Sequence, residues 1–237
     1  MTSRKVILIT GAAKRLGKYL AEGLTSNYDL AIHYHQSAAE AEALAKKLTS
    51  QRKKSAFTFK ANMMSLSEIE KGISQVLDYF GHIDILINNA SIFERTPFGT
   101  ISEKEWDHHM DINLKGPFFC TQTVARWMLK QKNITAYKII NIADSGSPKT
   151  RGDYLPYWIS KSGLMAMTET LAKVFAPGIQ INSIAPGPIL FPEDAERLKK
   201  QLCIYPEEIL KTVHYLLEAS SVTGNTIILD QGRRYLI

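Results

Sequence analysis

Tyr157 and Lys161 stand four residues apart in Tyr157-Trp158-Ile159-Ser160-Lys161. On a helix, residues at that spacing share one face, about 6 Å apart. An ammonium beside a phenol favours the ionised phenol, so the expected effect is a lowered Tyr157 pKa, suited to proton donation near neutrality. Reduction of a carbonyl or an imine by hydride needs such a proton donor. The spacing alone arises often by chance. It gains weight because four further stretches occur with it: Thr10-Gly11-Ala12-Ala13-Lys14-Arg15-Leu16-Gly17, Asn88-Asn89-Ala90, Asn113-Leu114 and Pro186-Gly187.

The first of these follows an apolar run, Val6 to Ile9, and precedes a helical pattern. Gly11 permits a tight turn, and Gly17 lets the helix approach the strands. The free N–H groups at the helix start then face a phosphate. A dinucleotide is the implied ligand. At the end of the second strand an acidic residue would bond the adenosine ribose 2′-hydroxyl. The chain has His33-Tyr34-His35-Gln36-Ser37 there, with no carboxylate to repel a 2′-phosphate. Gln36 and Ser37 offer hydrogen bonds, Ser37 opens the next helix, and Lys14 and Arg15 add positive charge, so NADPH is preferred to NADH. The alternative for His35 and Gln36 is a polar strand end that holds no ligand.

Short apolar runs alternate with longer helical patterns along the chain. Leu16, Leu20 and Leu24 lie on one helical face. Leu30, Ile32 and Tyr34 read as a strand. Ser37 with Glu40 reads as a capping box for a helix to about Thr49. Ala56–Phe59 reads as a third strand, and Ser65–Phe80 as a helix capped by Gly81. Ile83–Ile87 reads as a fourth strand. Trp106–Lys130 reads as one long helix or two consecutive ones around Gly116-Pro117. Then come a strand at Lys138–Ile142, a helix at Tyr157–Phe175, a strand at Ile179–Ile184, a helix at Pro206–Glu218 with Pro at its start, and a strand at Ile227–Leu229. Strands apolar on both faces and separated by helices indicate a parallel sheet covered on both sides. The expectation is an α/β protein, one doubly wound Rossmann domain over 1–237, with ligands beyond the carboxyl ends of the strands.

At 237 residues the chain is long enough for one such domain. Hydrophobic residues make up 45% and charged residues 22%, which excludes wholesale disorder. No apolar run is long enough for a membrane span, and the run Val6–Thr10 is too short for the core of a signal peptide, so a cytoplasmic protein is expected. Cys120 and Cys203 read as free thiols, and the histidines show no zinc-ligand spacing, so no metal is expected. The net charge is +6. Its basic clusters, Lys46-Lys47, Arg52-Lys53-Lys54, Lys199-Lys200 and Arg233-Arg234, are dispersed, which suits solvated faces and a small anionic ligand better than a nucleic acid.

Taken in order, these motifs resemble the short-chain dehydrogenase/reductase family over nearly the whole chain. The resemblance implies a seven-stranded parallel sheet and hydride transfer from a nicotinamide. It implies Tyr157 as proton donor, Lys161 as the residue that holds the nicotinamide ribose and tunes Tyr157, and Asn113 as a relay anchor. Asn89 and Ala90 would line the cofactor cleft with Met63, Pro186 and Gly187, and Asn62 would stand where the family usually has Asp to hold the adenine amino group.

Two departures narrow the resemblance. The family usually has Gly where this chain has Arg15, and Ser where it has Asp144, thirteen residues before Tyr157. Arg and Asp at those positions are the pattern of the pteridine reductases, and the turn, the stretch His33–Ala41 and Ser91-Ile92-Phe93 look like theirs. That implies Phe93 stacked on a pterin opposite the nicotinamide. It also implies Arg15 touching cofactor phosphate and the pterin edge, and Ser91 touching a cofactor phosphate. Asn182–Pro186, Ile189-Leu190-Phe191, Tyr215-Leu216-Leu217 and Val222-Thr223-Gly224 look like bacterial dihydromonapterin reductases, which as a family also reduce dihydrofolate weakly. Pro188 and Leu190 would open a short substrate lid over about 188–205.

A carboxyl suits a pterin. Hydride is added to a ring carbon and a proton to a ring nitrogen, so an acid that relays protons is useful, and a partly buried Asp144 beside Tyr157 should have a raised pKa. A ketone reductase gains little from a carboxylate beside a developing alkoxide. The alternative for Asp144 is a local turn residue, and for Phe93 core packing. The expected activity is NADPH-dependent reduction of a dihydropterin such as dihydromonapterin. The rivals are a 3-oxoacyl carrier-protein or sugar reductase and a non-catalytic protein that senses NADPH. The resemblance implies a homotetramer or homodimer built on the two long helices, with the C-terminal Arg233–Ile237 reaching a neighbour.

Overall fold

The computed structural model describes residues 4–131, 137–146, 152–198 and 202–235. The strands are β1 (Val6–Ile9), β2 (Asp29–Tyr34), β3 (Ala56–Lys60), β4 (Ile85–Asn88), β5 (Tyr137–Ile142), β6 (Ile179–Pro186) and β7 (Thr226–Leu229). They form one seven-stranded sheet in the order β3-β2-β1-β4-β5-β6-β7, and every pairing is parallel. The order reverses direction between β1 and β4, so the carboxyl ends of those two strands bound the crevice where such sheets bind ligands.

Side-chain parity divides the core into two layers. Ile7 and Ile9 of β1, Leu30 and Ile32 of β2, and Ile85 and Ile87 of β4 face one layer. It is completed by Leu16, Leu20 and Leu24 of α1 (Arg15–Leu24), Ala41, Leu44 and Leu48 of α2 (Ala38–Gln51), and Ile209 and Val213 of α8 (Pro206–Glu218). Leu8, Ala31 and Leu86, the residues between, face the other layer. There they meet Ile69, Ile73 and Val76 of α3 (Leu66–Phe80), Val124 and Met128 of α5 (Gly116–Met128), and Ala172 of α6 (Leu155–Phe175). Successive side chains of a strand point to opposite faces, so these near-continuous apolar strands need helices on both sides.

Several local expectations change. Ser37 is the N-cap of α2 but makes no side-chain cap bond, and Glu40, the other half of the expected box, turns to Lys14 Nζ at 2.7 Å. A complete capping box instead opens α4 (Glu103–Met110), between Ser102 and Glu105. The stretch expected as one or two helices starts there, three residues before Trp106. It runs through a π-helical segment, Asp111–Lys115, directly into α5. Gly81 caps α3 as expected, with φ +82°, while Ser65, expected as the first helical residue, is the N-cap and accepts from Glu68 N–H. After β6 come a 3₁₀ turn at Pro192–Asp194 and a short helix, α7 (Ala195–Leu198). Pro188 and Leu190 pair with Ile204 through backbone bonds of 2.9 and 2.8 Å. Lys199, Lys200 and residue 201 of the expected lid, and Leu236-Ile237 of the tail, lie outside the described residues.

Candidate functional site

The glycine turn is built by close approach. Gly11 has φ +63°, and a Cβ there would lie 2.9 Å from Ala90 Cα; a Cβ on Gly17 would lie 2.3 Å from Gly11 O. Only glycine fits either position. His33, buried at the end of β2, sets the turn from below. Its Nδ1 accepts from Gly11 N–H at 2.9 Å, and its Nε2 lies 2.9 Å from Ala61 O, which makes Nε2 the protonated nitrogen. Burial pushes the His33 pKa down to about 4. Across the turn, Asn89 Nδ2 donates to Thr10 O at 2.9 Å and Gly11 O at 3.1 Å.

Above this turn runs a groove of about 350 Å³ lined by Gly11, Lys14, Arg15, Leu16, Gly17, His35, Asn62, Met63, Asn89, Ala90 and Ser91, joined by His33, Ile92 and Ile112. Most of the residues expected to hold a dinucleotide are therefore brought together. Gln36 and Ser37 stand beside the groove, at the β2–α2 turn, without lining it. Pro186 and Gly187 are buried at the end of β6, where Gly187 N–H donates to Leu229 O at 2.7 Å. The Asn62 carboxamide oxygen is already used, accepting from Met64 N–H at 3.0 Å.

The proton-handling residues lie farther along the same strand ends. Tyr157, in the first turn of α6, is buried and donates its hydroxyl to Asp144 Oδ2 at 2.7 Å. Asp144 Oδ1 accepts from Gly146 N–H at 2.9 Å. Burial raises the Asp144 pKa, against the opposing pull of the Tyr157 and Gly146 hydrogen bonds and the charges of Lys161 and Arg233. The expectation for Tyr157 is overturned. Its pKa is raised well above the ordinary value by burial first and by the Asp144 charge and hydrogen bond second. Lys161 does not lower it. Its Nζ is 5.9 Å from the Tyr157 ring centre and donates to Ile142 O at 2.8 Å. Burial brings Lys161 itself down to about 8.

Asn113, fully buried in the π-helical segment, touches neither Tyr157 nor Lys161 through its side chain in the bonds it makes. It ties the loop after β4 to α6. Its Oδ1 accepts from Ile92 N–H at 2.9 Å and Ser91 Oγ at 3.1 Å. Its Nδ2 donates to Ile92 O and to Ser160 Oγ, both at 3.1 Å. The same loop carries Phe93, 56% exposed. Phe93 stacks flat on Tyr154 at 4.4 Å and 6° and meets Tyr157 edge-on at 4.6 Å. It is thus a ring held at the mouth of the site rather than core packing. Tyr154 escaped notice in the sequence, where it is one aromatic near two others, Tyr157 and Trp158.

Glu193 and Asp194 went unnoticed, and Phe191 was marked only as part of a resembling stretch. Arg15, with φ +49°, sends its guanidinium toward the segment after β6. Nη2 pairs with Asp194 Oδ2 at 2.6 Å and Nη1 with Glu193 Oε1 at 3.5 Å, while the guanidinium carbon lies 4.6 Å over the Phe191 ring. No spacing rule links residues so far apart along the chain. Pro188 and Leu190, expected to touch substrate, are half-buried and engaged with Ile204.

Over residues 5–201 the chain matches the family model of short chain dehydrogenases. A 3-oxoacyl-[acyl-carrier-protein] reductase from Synechocystis sp. is 31% identical, with 96% of each chain covered. Among solved structures, FolM alternative dihydrofolate reductase 1 from Brucella canis, complexed with NADP, aligns with a TM-score of 0.88 and 33% identity, covering 98% of this chain and 95% of that one. The Brucella suis protein, also with NADP, aligns with a TM-score of 0.86 and 32% identity, covering 98% and 96%. With its seven-stranded parallel sheet, its glycine turn under a groove and its buried tyrosine and lysine on one helix, this chain belongs to the short-chain dehydrogenase/reductase family of oxidoreductases.

Proposed function

We propose that the protein is an NADPH-dependent reductase of dihydropterins, with dihydromonapterin or a related pteridine as substrate and dihydrofolate as a poorer one. The observation that carries this reading is the Tyr157–Asp144 hydrogen bond of 2.7 Å, made beside the exposed, ring-stacked Phe93.

The groove fits a dinucleotide. Glycine at 11 and 17 lets the turn pack closely on Ala90 and on itself, so that its residues line the groove, and the start of α1 favours an anion. Gly11, Gly17, Asn89, Ala90 and Ser91 would hold the nucleotide, Lys14 and His35 its 2′-phosphate, and Lys161 the nicotinamide ribose. The cofactor, when bound, supplies a hydride to the pterin ring carbon. The residues of this chain supply the rest. Phe93 offers a π face to the flat pterin. Tyr157 hands its proton to the ring nitrogen, and Asp144, 2.7 Å away, returns one after taking it up from solvent, a step that its raised pKa favours. Lys161 keeps a positive charge near the developing negative charge. A ketone substrate has less use for Asp144, because a carboxylate would oppose a developing alkoxide.

The short segment at 188–205 is taken as the lid of a single-domain enzyme. Exposed Phe118 of α5 and Ile159 of α6 support pairing of these helices between copies in a homodimer or homotetramer. The second reading, a 3-oxoacyl carrier-protein reductase, is favoured by the name of the Synechocystis relative. Loss of nicotinamide absorbance with dihydromonapterin, dihydrobiopterin, dihydrofolate and an acetoacetyl thioester, each with NADPH and with NADH, separates the two. Turnover of a dihydropterin with NADPH and none of the thioester is the expected result. Turnover of the thioester alone would overturn it.

A further inference from the structure

Both cations of the glycine turn are already engaged by carboxylates. Lys14 meets Glu40 at 2.7 Å on an exposed surface. Arg15 is held more firmly by a single stretch of chain. Asp194 takes Nη2 at 2.6 Å with a side chain only 11% exposed, Glu193 takes Nη1 at 3.5 Å from solvent, and Phe191 supports the guanidinium from below at 4.6 Å. Phe191 is itself part of the core. Arg15 also walls the groove that carries Gly11 and Gly17. Its backbone lies at φ +49°, a region that costs a non-glycine residue about 1 kcal/mol or more. The contacts of the side chain offset that cost.

We propose that Arg15 is a shared latch, held by Asp194 and Glu193 until the cofactor diphosphate competes for it, so that these two carboxylates set the NADPH affinity of the protein. The inference rests on the NADPH reading above. A guanidinium has five donors in a fixed fork, and only two of its nitrogens are used here. The Glu193 bond is long and screened by water, a weak competitor for a diphosphate. Asp194 is largely desolvated and competes strongly. Both are positioning residues, because they act on the cofactor only through Arg15. By linkage, NADPH must weaken the Arg15–Asp194 contact by the same factor by which Asp194 weakens NADPH binding.

NADPH dissociation constants, read by nicotinamide fluorescence on the full chain without substrate, test this in a double-mutant cycle. Asp194→Asn should tighten binding by about tenfold, and Glu193→Gln by up to about fivefold, as expected for exposed pairs. Arg15→Met should weaken it, and in that background neither carboxylate variant should change it further. Glu193 is exposed, so Glu193→Gln keeps the test alive if Asp194→Asn does not fold. Unchanged or weaker binding in the carboxylate variants overturns the latch, as does the same tightening without Arg15, which would be a general charge effect. A wild-type chain that binds no NADPH overturns the cofactor reading and the latch together, whereas normal wild-type binding with an additive cycle overturns the latch alone.

Discussion

The Tyr157 hydroxyl donates to Asp144 Oδ2 across 2.7 Å, which joins the first turn of α6 to the loop leaving β5. Burial raises both groups, and the Asp144 charge and hydrogen bond raise Tyr157 further. Tyr157 is therefore a poor acid by itself and an effective one only when Asp144 can restore the proton it gives.

Replacing Asp144 should separate the two candidate chemistries. Asp144→Ser removes the relay and puts a hydroxyl beside Tyr157. Dihydropterin turnover should fall at least tenfold, about 1.4 kcal/mol of barrier. Turnover of a ketone thioester should rise or appear. Steady-state rates on both substrates decide it, and undiminished dihydropterin turnover would sink the relay.

Alkaline pH should shut the site down. Lys161 sits near 8, below its ordinary 10.5, so its charge is present below that value and lost as pH rises through it. The kcat profile should fall by about tenfold per unit above pH 8. Lys161→Arg, which stays charged, should lower the plateau but push the falling limb upward.

Stability should respond to acid through His33. Its folded value of about 4 lies below the ordinary 6.5. Above pH 6.5 the neutral ring is common to both states. Between 6.5 and about 4 only the unfolded chain gains the proton, at a cost of about 3 kcal/mol to the fold. Urea unfolding at several pH values should show this decline, and His33→Gln should flatten it.

Phe93 should act on substrate rather than on the fold. Its exposed ring and the Tyr154 stack are worth about 1 kcal/mol, so Phe93→Ala should change Tm by only a few degrees. The KM for a dihydropterin should rise about tenfold, while the NADPH dissociation constant stays put. A matching loss of NADPH binding would show that Phe93 belongs to the cofactor cleft instead.

The layered sheet was legible because parity is local: Ile7, Leu8 and Ile9 already say which way each side chain points. The glycine turn was legible in part for the same reason, since Gly17 is demanded by Gly11 O six residues back, whereas the contact of Gly11 with Ala90 is tertiary. Asp144 and Tyr157 could be paired because the family resemblance places the residue thirteen positions before the tyrosine beside it. The Tyr157 pKa was misjudged because spacing records the charge of Lys161 but not the desolvation that outweighs it. The reciprocal half of the Ser37 box failed because Glu40 had a competing partner, Lys14, in the turn before α1. Asp194 and Glu193, and the role of Phe191, were missed because they depend on a tertiary contact with Arg15 that no periodicity encodes.

The loops after β4 and β5 are stitched together. Thr96 N–H donates to Asp153 O and Phe98 N–H to Gly152 O, each at 2.6 Å, and Arg95 pairs with Asp153 at 3.3 Å. The pieces that carry Phe93 and Tyr154 therefore travel as one module. A chimera with a crossover between residues 98 and 152 would import half of a ladder and leave its partner strand without a register. Anyone grafting this substrate mouth onto a related scaffold has to move both loops at once, and natural recombination faces the same constraint.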